Sequence, residues 1–149
     1  MNEVQIIVDT GPLVAFLVKE ETHHEWVKEN FRRLPAPFLT CEPVLTETFF
    51  LIRHLRHGSA RFFALLNSGL LRADFSLLDE SASLEKLIHK YGDVPMSLAD
   101  ACLVRLVELN PRFAVFTLDD DFKIYRRHGR ETIPAIMPDT AEVSHHPFQ

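Results

Sequence analysis

The sequence contains few cysteines and no long apolar run, and each shortage excludes a class of protein. Its 149 residues include only two cysteines, Cys41 and Cys102, which are too few for a disulfide framework and lack the paired spacing of a structural zinc site. We expect both to be small buried side chains. No apolar run approaches the roughly 20 residues that span a bilayer, and the start of the chain lacks the basic residues and long apolar stretch of a secretory signal. We therefore expect a cytoplasmic protein that does not associate with membranes.

Positive charge is also in short supply. The chain carries 16 lysines and arginines against 21 aspartates and glutamates, a net charge of −5 at pH 7, which is not typical of a protein that binds nucleic acid non-specifically. Such binding would require that a metal neutralise some of the acids and that the basic residues cluster. The chain has no Gly-rich phosphate-binding loop and no motif around a nucleophilic serine or cysteine, so both kinds of active site are disfavoured.

The composition and the order of predicted elements indicate one α/β domain. Hydrophobic residues make up 46% of the chain and charged residues 25%, as in globular proteins, and we predict a domain over residues 1–140 with a C-terminal tail over 141–149. Hydrophobic patterns predict strands at 4–8, 38–41, 70–75, 114–117 and 133–136, and helices at 12–19, 22–34, 43–56, 60–68, 79–91 and 97–109. This alternation favours right-handed βαβ units and a mainly parallel sheet that is covered on both faces.

Two acids directly follow predicted strands. Ligands of parallel sheets bind at the carboxyl ends of the strands, and both Asp9 and Asp119 are expected at that edge. Asp9 taken alone is also suited to a turn or to capping the next helix. The run Asp119–Asp121 usually indicates a solvated turn, although a bound cation would relieve the repulsion among its three charges.

Two further acids lie near the starts of predicted helices. Glu47 shares a helix face with Val44 and Leu51, where a carboxylate is costly unless it is paired, binds a metal or lies at the edge of the face and reaches water. Asp100 follows Ser97 in a capping-box pattern, which alone would explain both residues. The helix of Asp100 is nevertheless apolar almost all round, so its carboxylate can cap the helix and bind a metal at once.

Together these acids predict a metal site. Winding of βαβ units would bring both pairs to the same edge of the sheet. A hard cation such as Mg²⁺ binds oxygen ligands and usually keeps several waters. One or two such ions would lower the pKa of a water molecule, hold a phosphate and stabilise the leaving oxygen. The alternative is a non-catalytic module, in which the carboxylates hold one Mg²⁺ for regulation or the domain only binds RNA or protein.

Four segments, in this order along the chain, resemble the motifs of the PIN-domain ribonucleases, especially the VapC-like toxins of toxin–antitoxin pairs. They are the opening strand and first acid in Ile6–Leu13, the second acid in Val44–Glu47, the third in Asp93–Ala101 and the closing Thr-x-Asp segment in Phe116–Phe122. The resemblance implies a three-layer α/β/α fold, dependence on Mg²⁺ or Mn²⁺, and endoribonuclease activity on an RNA substrate. It also implies a homodimer and, for a toxin, a cognate antitoxin.

The same resemblance assigns roles to individual residues. Four acids carry over as catalytic residues and metal ligands, namely Asp9, Glu47, Asp100 and Asp119. Thr117 carries over as a supporting polar residue. Asp121 is assigned as a second supporting residue. The alternative is that Asp120, the other later acid of the triplet, approaches the metal.

Basic and apolar clusters offer surfaces for partners. Two groups of arginines could bind RNA phosphates or lie on ordinary solvated surface, one formed by Arg53, Arg56 and Arg61 and the other by Arg126 and Arg127. The segment Phe49–Ile52 has more apolar residues than one helix face can bury. We therefore expect part of it to pack against another chain, either a second copy or an antitoxin.

Overall fold

Strands and helices alternate along the described part of the chain, residues 3–139 of a computed structural model. The strands are β1 (Gln5–Val8), β2 (Phe38–Leu39), β3 (Leu71–Arg72), β4 (Phe113–Phe116), β5 (Arg126–Arg127), β6 (Glu131–Thr132) and β7 (Ala135–Ile136). The helices are α1 (Thr10–Leu17), α2 (His24–Arg33), α3 (Glu42–Ile52), α4 (Gly58–Asn67), α5 (Ser81–Lys90) and α6 (Leu98–Leu109), and a 3₁₀ turn spans Asp120–Lys123. The predicted tail at 141–149 lies outside the described residues.

Five of the strands form one parallel sheet in the order β3-β2-β1-β4-β7, which confirms the predicted α/β fold with helices in the outer layers. β1 and β4 lie at its centre, and their last residues, Val8 and Phe116, are paired. Both side chains are fully buried, as is typical of parallel strands that are covered on both faces. Because this register ends the two strands at the same level, the residues that follow them lie side by side.

Helix α3 ends earlier than predicted. The hydrophobic pattern predicts a helix as far as Arg56, but α3 ends at Ile52 and the chain then turns. His57 has a left-handed backbone with a φ of 62°, and a Cβ atom at Gly58 would lie 2.0 Å from the carbonyl oxygen of Ile52. Only glycine fits this close approach, so Gly58 determines where α4 can begin.

Strands β5 and β6 form a separate antiparallel hairpin, which was not predicted from the sequence. Its turn contains two residues with positive φ, His128 at 52° and Gly129 at 79°. The hairpin is held against α6, because the backbone N–H of His128 donates to Glu108 at 2.9 Å and the side chain of Arg127 donates to a carbonyl near the helix end at 3.3 Å. Strands of two charged or polar residues show no hydrophobic alternation, so the sequence contains no signal for them.

The two cysteines are buried and form no disulfide, as expected. Cys41 directly precedes α3 and Cys102 lies in α6. No helix within residues 3–139 is long and apolar enough to cross a membrane.

Candidate active site

Three carboxylates meet at the carboxyl end of the parallel sheet. Asp9 directly follows β1, Asp119 lies shortly after β4, and Asp100 lies in the first turn of α6. One oxygen atom of each lies within 4.8 Å of the other two. Asp9 and Asp100 are buried, with 6% and 8% of their surface exposed, whereas Asp119 is half-buried. We refer to these three side chains as the acidic triad.

Asp9 is fixed by hydrogen bonds to both of its carboxylate oxygens. Oδ1 accepts from the backbone N–H of Thr10 at 2.7 Å, which makes Asp9 the cap of α1. Oδ2 accepts from the hydroxyl of Thr117 at 2.8 Å. The oxygen of that hydroxyl also accepts from the backbone N–H of Asp119 at 2.9 Å. The fully buried Thr117 therefore connects two members of the triad.

Asp100 takes part in a helix cap and in the triad. Its backbone N–H donates to the Ser97 hydroxyl at 3.0 Å, which makes Ser97 the cap of α6. Carboxylate oxygen Oδ2 accepts from the hydroxyl of Tyr125 at 2.8 Å. The predicted helix cap at Ser97 is therefore present. It does not exclude a functional role for Asp100, because the carboxylate of Asp100 still faces Asp9 and Asp119.

Glu47 lies beside the acidic triad. It is half-buried on α3, and its Oε1 accepts from the Thr10 hydroxyl at 2.9 Å. Leu51, one turn after Glu47, is 49% exposed, and the buried residues of α3 are Val44, Thr48 and Ile52. Glu47 thus lies at the edge of the buried face and reaches the site from the side.

All four predicted acids line one cleft of about 520 Å³, which we call the acidic cleft. Its lining consists of Asp9, Thr10, Gly11, Glu47, Pro95, Ser97, Asp100, Leu118, Asp119 and Asp121. The backbone N–H of Asp121 donates to Asp119 Oδ1 at 2.9 Å. Loss of solvent and the neighbouring charges of Asp119 and Asp120 raise the pKa of Asp121. Asp121 therefore adds a fifth carboxylate to the same cleft.

The acidic triad carries negative charge that no basic side chain offsets. Burial raises the pKa of Asp9 to about 7, although hydrogen bonds from Thr117 and Thr10 act to lower it. Burial also raises the pKa of Asp100, and the hydrogen bond from Tyr125 opposes that rise. Within residues 3–139, no lysine, arginine or histidine forms an ion pair with a member of the triad. Three converging oxygen donors without nitrogen or sulfur ligands fit a hard divalent cation such as Mg²⁺ or Mn²⁺.

Sequence reasoning missed two residues of this site. Thr10 connects Asp9 to Glu47, and its position directly after a strand-ending acid was the available signal. Tyr125 gave no local signal, because it stands among the charged residues of 119–130 and belongs to no motif. Its contact with Asp100 spans 25 positions of sequence and depends on the tertiary fold.

The five arginines that we predicted to bind phosphates lie outside the acidic cleft. Arg53 lies 4.0 Å from the centroid of an aromatic ring in its own turn, and Arg61 donates to a carbonyl at the end of α1 at 3.1 Å. Arg126 donates to three carbonyls of the preceding turn, and Arg127 donates to two carbonyls near the end of α6. Arg56 lines a small pocket beside Arg61. Their role in binding RNA stays a prediction.

The fold is an α/β domain with three carboxylates at the carboxyl edge of its parallel sheet that could hold a metal ion. Comparison with known proteins identifies its family. A family model that describes the PIN domain matches residues 6–127. The protein therefore belongs to the PIN domain family, which confirms the resemblance seen in the sequence. Comparison with curated proteins gave no match.

One solved structure with a similar fold is VapC20 of Mycobacterium tuberculosis, described as a toxin that cleaves the sarcin–ricin loop. The two chains share 22% sequence identity with a TM-score of 0.70, and the match covers 80% of this chain and 94% of VapC20. At this level of identity the likeness concerns the fold.

Proposed function

We propose that this protein is a Mg²⁺-dependent endoribonuclease, with Mn²⁺ as a second suitable ion, and that it is the toxin of a toxin–antitoxin pair in the cytoplasm. The observation that carries the proposal is the acidic triad, which lies at the sheet edge of a PIN domain without a basic partner among the described residues. The similar fold of VapC20, a toxin that cleaves the sarcin–ricin loop, supports RNA as the substrate.

In this proposal the carboxylates of the acidic cleft bind the ion. The ligands would be Asp9, Asp100, Asp119 and Glu47, with Asp121 in support. When bound, the ion would supply a Lewis acid for the phosphodiester and a water molecule of lowered pKa. The protein fixes these ligands in advance, because Thr117 joins Asp9 to the backbone of Asp119 and Thr10 joins Asp9 to Glu47. Groups that are fixed before the substrate binds need no reorganisation during the reaction.

We further propose that RNA phosphates contact the turn between α3 and α4. Arg56, in this turn, has no hydrogen bond or ion pair within residues 3–139, so its guanidinium is available to a phosphate. Arg53 and Arg61 flank it in sequence and each make one contact with a backbone carbonyl. We expect smaller contributions from Arg126 and Arg127, because several of their donors already bind carbonyls of the protein.

The apolar surface of α3 and α4 supports the proposal of a protein partner. Phe50 is 60% exposed, and Leu51 and Phe63 are each 49% exposed. Exposed apolar side chains of this size on neighbouring helices are typical of protein–protein contacts. We propose that a cognate antitoxin or a second copy of the chain covers them. Light scattering of the protein alone, and again with the antitoxin, would distinguish the homodimer from the toxin–antitoxin complex.

The test of the proposed activity is cleavage of a mixed pool of single-stranded and structured RNAs. We expect cleavage with Mg²⁺ or Mn²⁺, none with EDTA, and cleavage reduced by about 10²-fold or more with Asp9→Asn. Asp120→Asn is the matched control, because the Asp120 side chain is 82% exposed, pairs with Lys123 and lies outside the lining of the acidic cleft. This variant should cleave as wild type does.

Two outcomes would contradict the proposal. A protein that cuts no RNA and gains no thermal stability from Mg²⁺ does not have a metal-dependent nuclease site. A protein that binds Mg²⁺ but cuts no RNA in the pool is better described as a non-catalytic metal-binding module.

A further inference from the structure

Tyr125 connects the segment before the β5–β6 hairpin to the acidic triad. Its side chain is fully buried, and its hydroxyl donates to Oδ2 of Asp100 at 2.8 Å. A hydrogen bond to a carboxylate is stronger than one between neutral groups. Asp100 is therefore held at two points, its carboxylate by Tyr125 and its backbone N–H by Ser97.

The core fixes the position of the Tyr125 ring independently of Asp100. The ring lies edge-on to Tyr91 and to Phe122, with centroid distances of 5.1 Å to each. The hydroxyl of Tyr91 is not part of this packing, because it accepts a hydrogen bond from the backbone N–H of Arg126 at 2.9 Å. A ring that is packed in this way cannot change its direction without disturbing the core.

The hydroxyl of Tyr125 is not needed for this packing. A buried hydroxyl costs free energy unless it is hydrogen-bonded, and phenylalanine would fill the same space. Among the described residues, Asp100 is the partner of this hydroxyl. Asp100 also lies close to the like charges of Asp9 and Asp119, which would favour rotation of its carboxylate away from them if nothing held it.

We propose that Tyr125 is a positioning residue for metal binding, which holds the carboxylate of Asp100 toward the other two members of the triad. This inference rests on the proposed metal site. The ion would then bind to a triad whose third ligand is already oriented by the protein core. A residue that acts in this way contributes to ion affinity without touching the ion or the RNA.

The test is the Mn²⁺ affinity of Tyr125→Phe, measured in the full chain by calorimetry or by the electron paramagnetic resonance of free Mn²⁺. We expect the affinity to fall by about 10-fold or more, which is the effect typical of losing a hydrogen bond to a metal ligand. The Mg²⁺ concentration that gives half-maximal RNA cleavage should rise by a similar factor. The rate at saturating Mg²⁺ should change much less, because the ligands themselves are all present.

Tyr91→Phe is the matched control. It removes a hydroxyl from the same aromatic cluster, but that hydroxyl bonds to the backbone of Arg126 and to no acid of the cleft. We expect it to lower the thermal stability and to leave the Mn²⁺ affinity unchanged. If Tyr125→Phe behaves in the same way, with Mn²⁺ affinity within about twofold of wild type, Tyr125 is only structural and the inference is overturned.

A double substitution tests whether Tyr125 acts through Asp100. In an Asp100→Asn background, Tyr125→Phe should have no further effect on Mn²⁺ affinity, because the carboxylate that it positions is gone. A full additional loss of affinity in that background would overturn the inference.

Failure of the proposed function can be told apart from failure of this inference. If wild type binds Mn²⁺ but cuts no RNA, the proposed activity fails while a weaker affinity in Tyr125→Phe still supports the positioning role. If wild type binds no Mn²⁺, both are overturned.

Discussion

The acidic side chains at the two ends of α6 differ in whether a basic residue pairs with them. At its start, Asp100 belongs to the acidic triad, which has no basic partner among the described residues. Near its end, Glu108 and the neighbouring Glu80 both pair with Arg105, at 3.1 and 2.6 Å. The positive charge of Arg105 offsets that of both acids, so this cluster supports the fold. Buried acids that meet without a cation repel each other and cost stability, and this cost is the physical ground for the ion that we propose at the start of α6.

The largest effect is expected from removing one unpaired charge. Asp9→Asn keeps the size of the side chain but removes an anionic ligand, so RNA cleavage should fall by about 10²-fold or more. The variant should still fold, because asparagine is also a good helix cap. The measurement is the initial rate of RNA cleavage at saturating Mg²⁺. A variant that retains most of the wild-type rate would show that the charge of Asp9 does not serve catalysis.

The second prediction concerns the ion itself. A ligand present at 100 times its dissociation constant stabilises a folded protein by about 2.7 kcal/mol, and Mg²⁺ should raise the melting temperature of the wild type accordingly. The same Mg²⁺ series should have a much smaller effect on Asp9→Asn. A monovalent salt of equal ionic strength serves as the control for general screening. Equal stabilisation of both proteins by Mg²⁺ would argue against the triad as the binding site.

The third prediction concerns pH in the absence of metal. Burial raises the pKa of Asp9 from an ordinary value of 3.8 to about 7, so the folded state binds this proton more tightly than the unfolded state does. The stability that this proton contributes is complete below the lower value and is lost as the pH rises through the higher one. In EDTA, the wild type should therefore lose stability as the pH rises from about 4 to about 7, at a slope of at most roughly 1.4 kcal/mol per pH unit.

Asp9→Asn isolates the contribution of Asp9 to that pH dependence. The variant lacks the titrating group, so its unfolding free energy should change less over the same interval, and at about pH 8 without metal it should be at least as stable as wild type. Chemical denaturation at several pH values measures both. Parallel pH profiles for the two proteins would mean that Asp9 does not titrate in this interval.

The smallest effect is expected from the paired end of α6. Glu80→Gln removes a partner of Arg105 from a half-buried pair and should lower the free energy of unfolding by about 1 kcal/mol or less. The stabilisation by Mg²⁺ and the rate of RNA cleavage should remain those of wild type. If Glu80→Gln weakened Mg²⁺ binding as strongly as Asp9→Asn does, the contrast between the two ends of the helix would be lost.

The central sheet and the position of two acids could be predicted because their signals are local. An apolar strand that ends in an acid places that acid at the carboxyl edge of a parallel sheet, and this reasoning located Asp9 and Asp119 correctly. The capping pattern at Ser97 also predicted the start of α6 and placed Asp100 in its first turn. Each of these inferences needed only neighbouring residues and the rules of βαβ winding.

What could not be predicted depends on contacts between distant segments. The buried face of α3 is decided by its packing against other helices, so the sequence could not show which residues of Phe49–Ile52 are exposed, and these include Phe50 and Leu51. The end of α3 depends on the fit of Gly58 against the carbonyl of Ile52. The β5–β6 hairpin and the contact between Tyr125 and Asp100 arise from docking onto α6. None of these features has a periodic pattern in the sequence.

The most direct test of a metal-binding acidic triad is the anomalous diffraction of Mn²⁺ in crystals of the wild-type protein. We predict a peak at the acidic triad, with carboxylate oxygens of Asp9, Asp100 and Asp119 within about 2 to 2.5 Å of the ion. The same peak should be absent from crystals of Asp9→Asn or clearly weaker in them. Well-ordered wild-type crystals that contain saturating Mn²⁺ but show no peak among these three carboxylates would contradict the account.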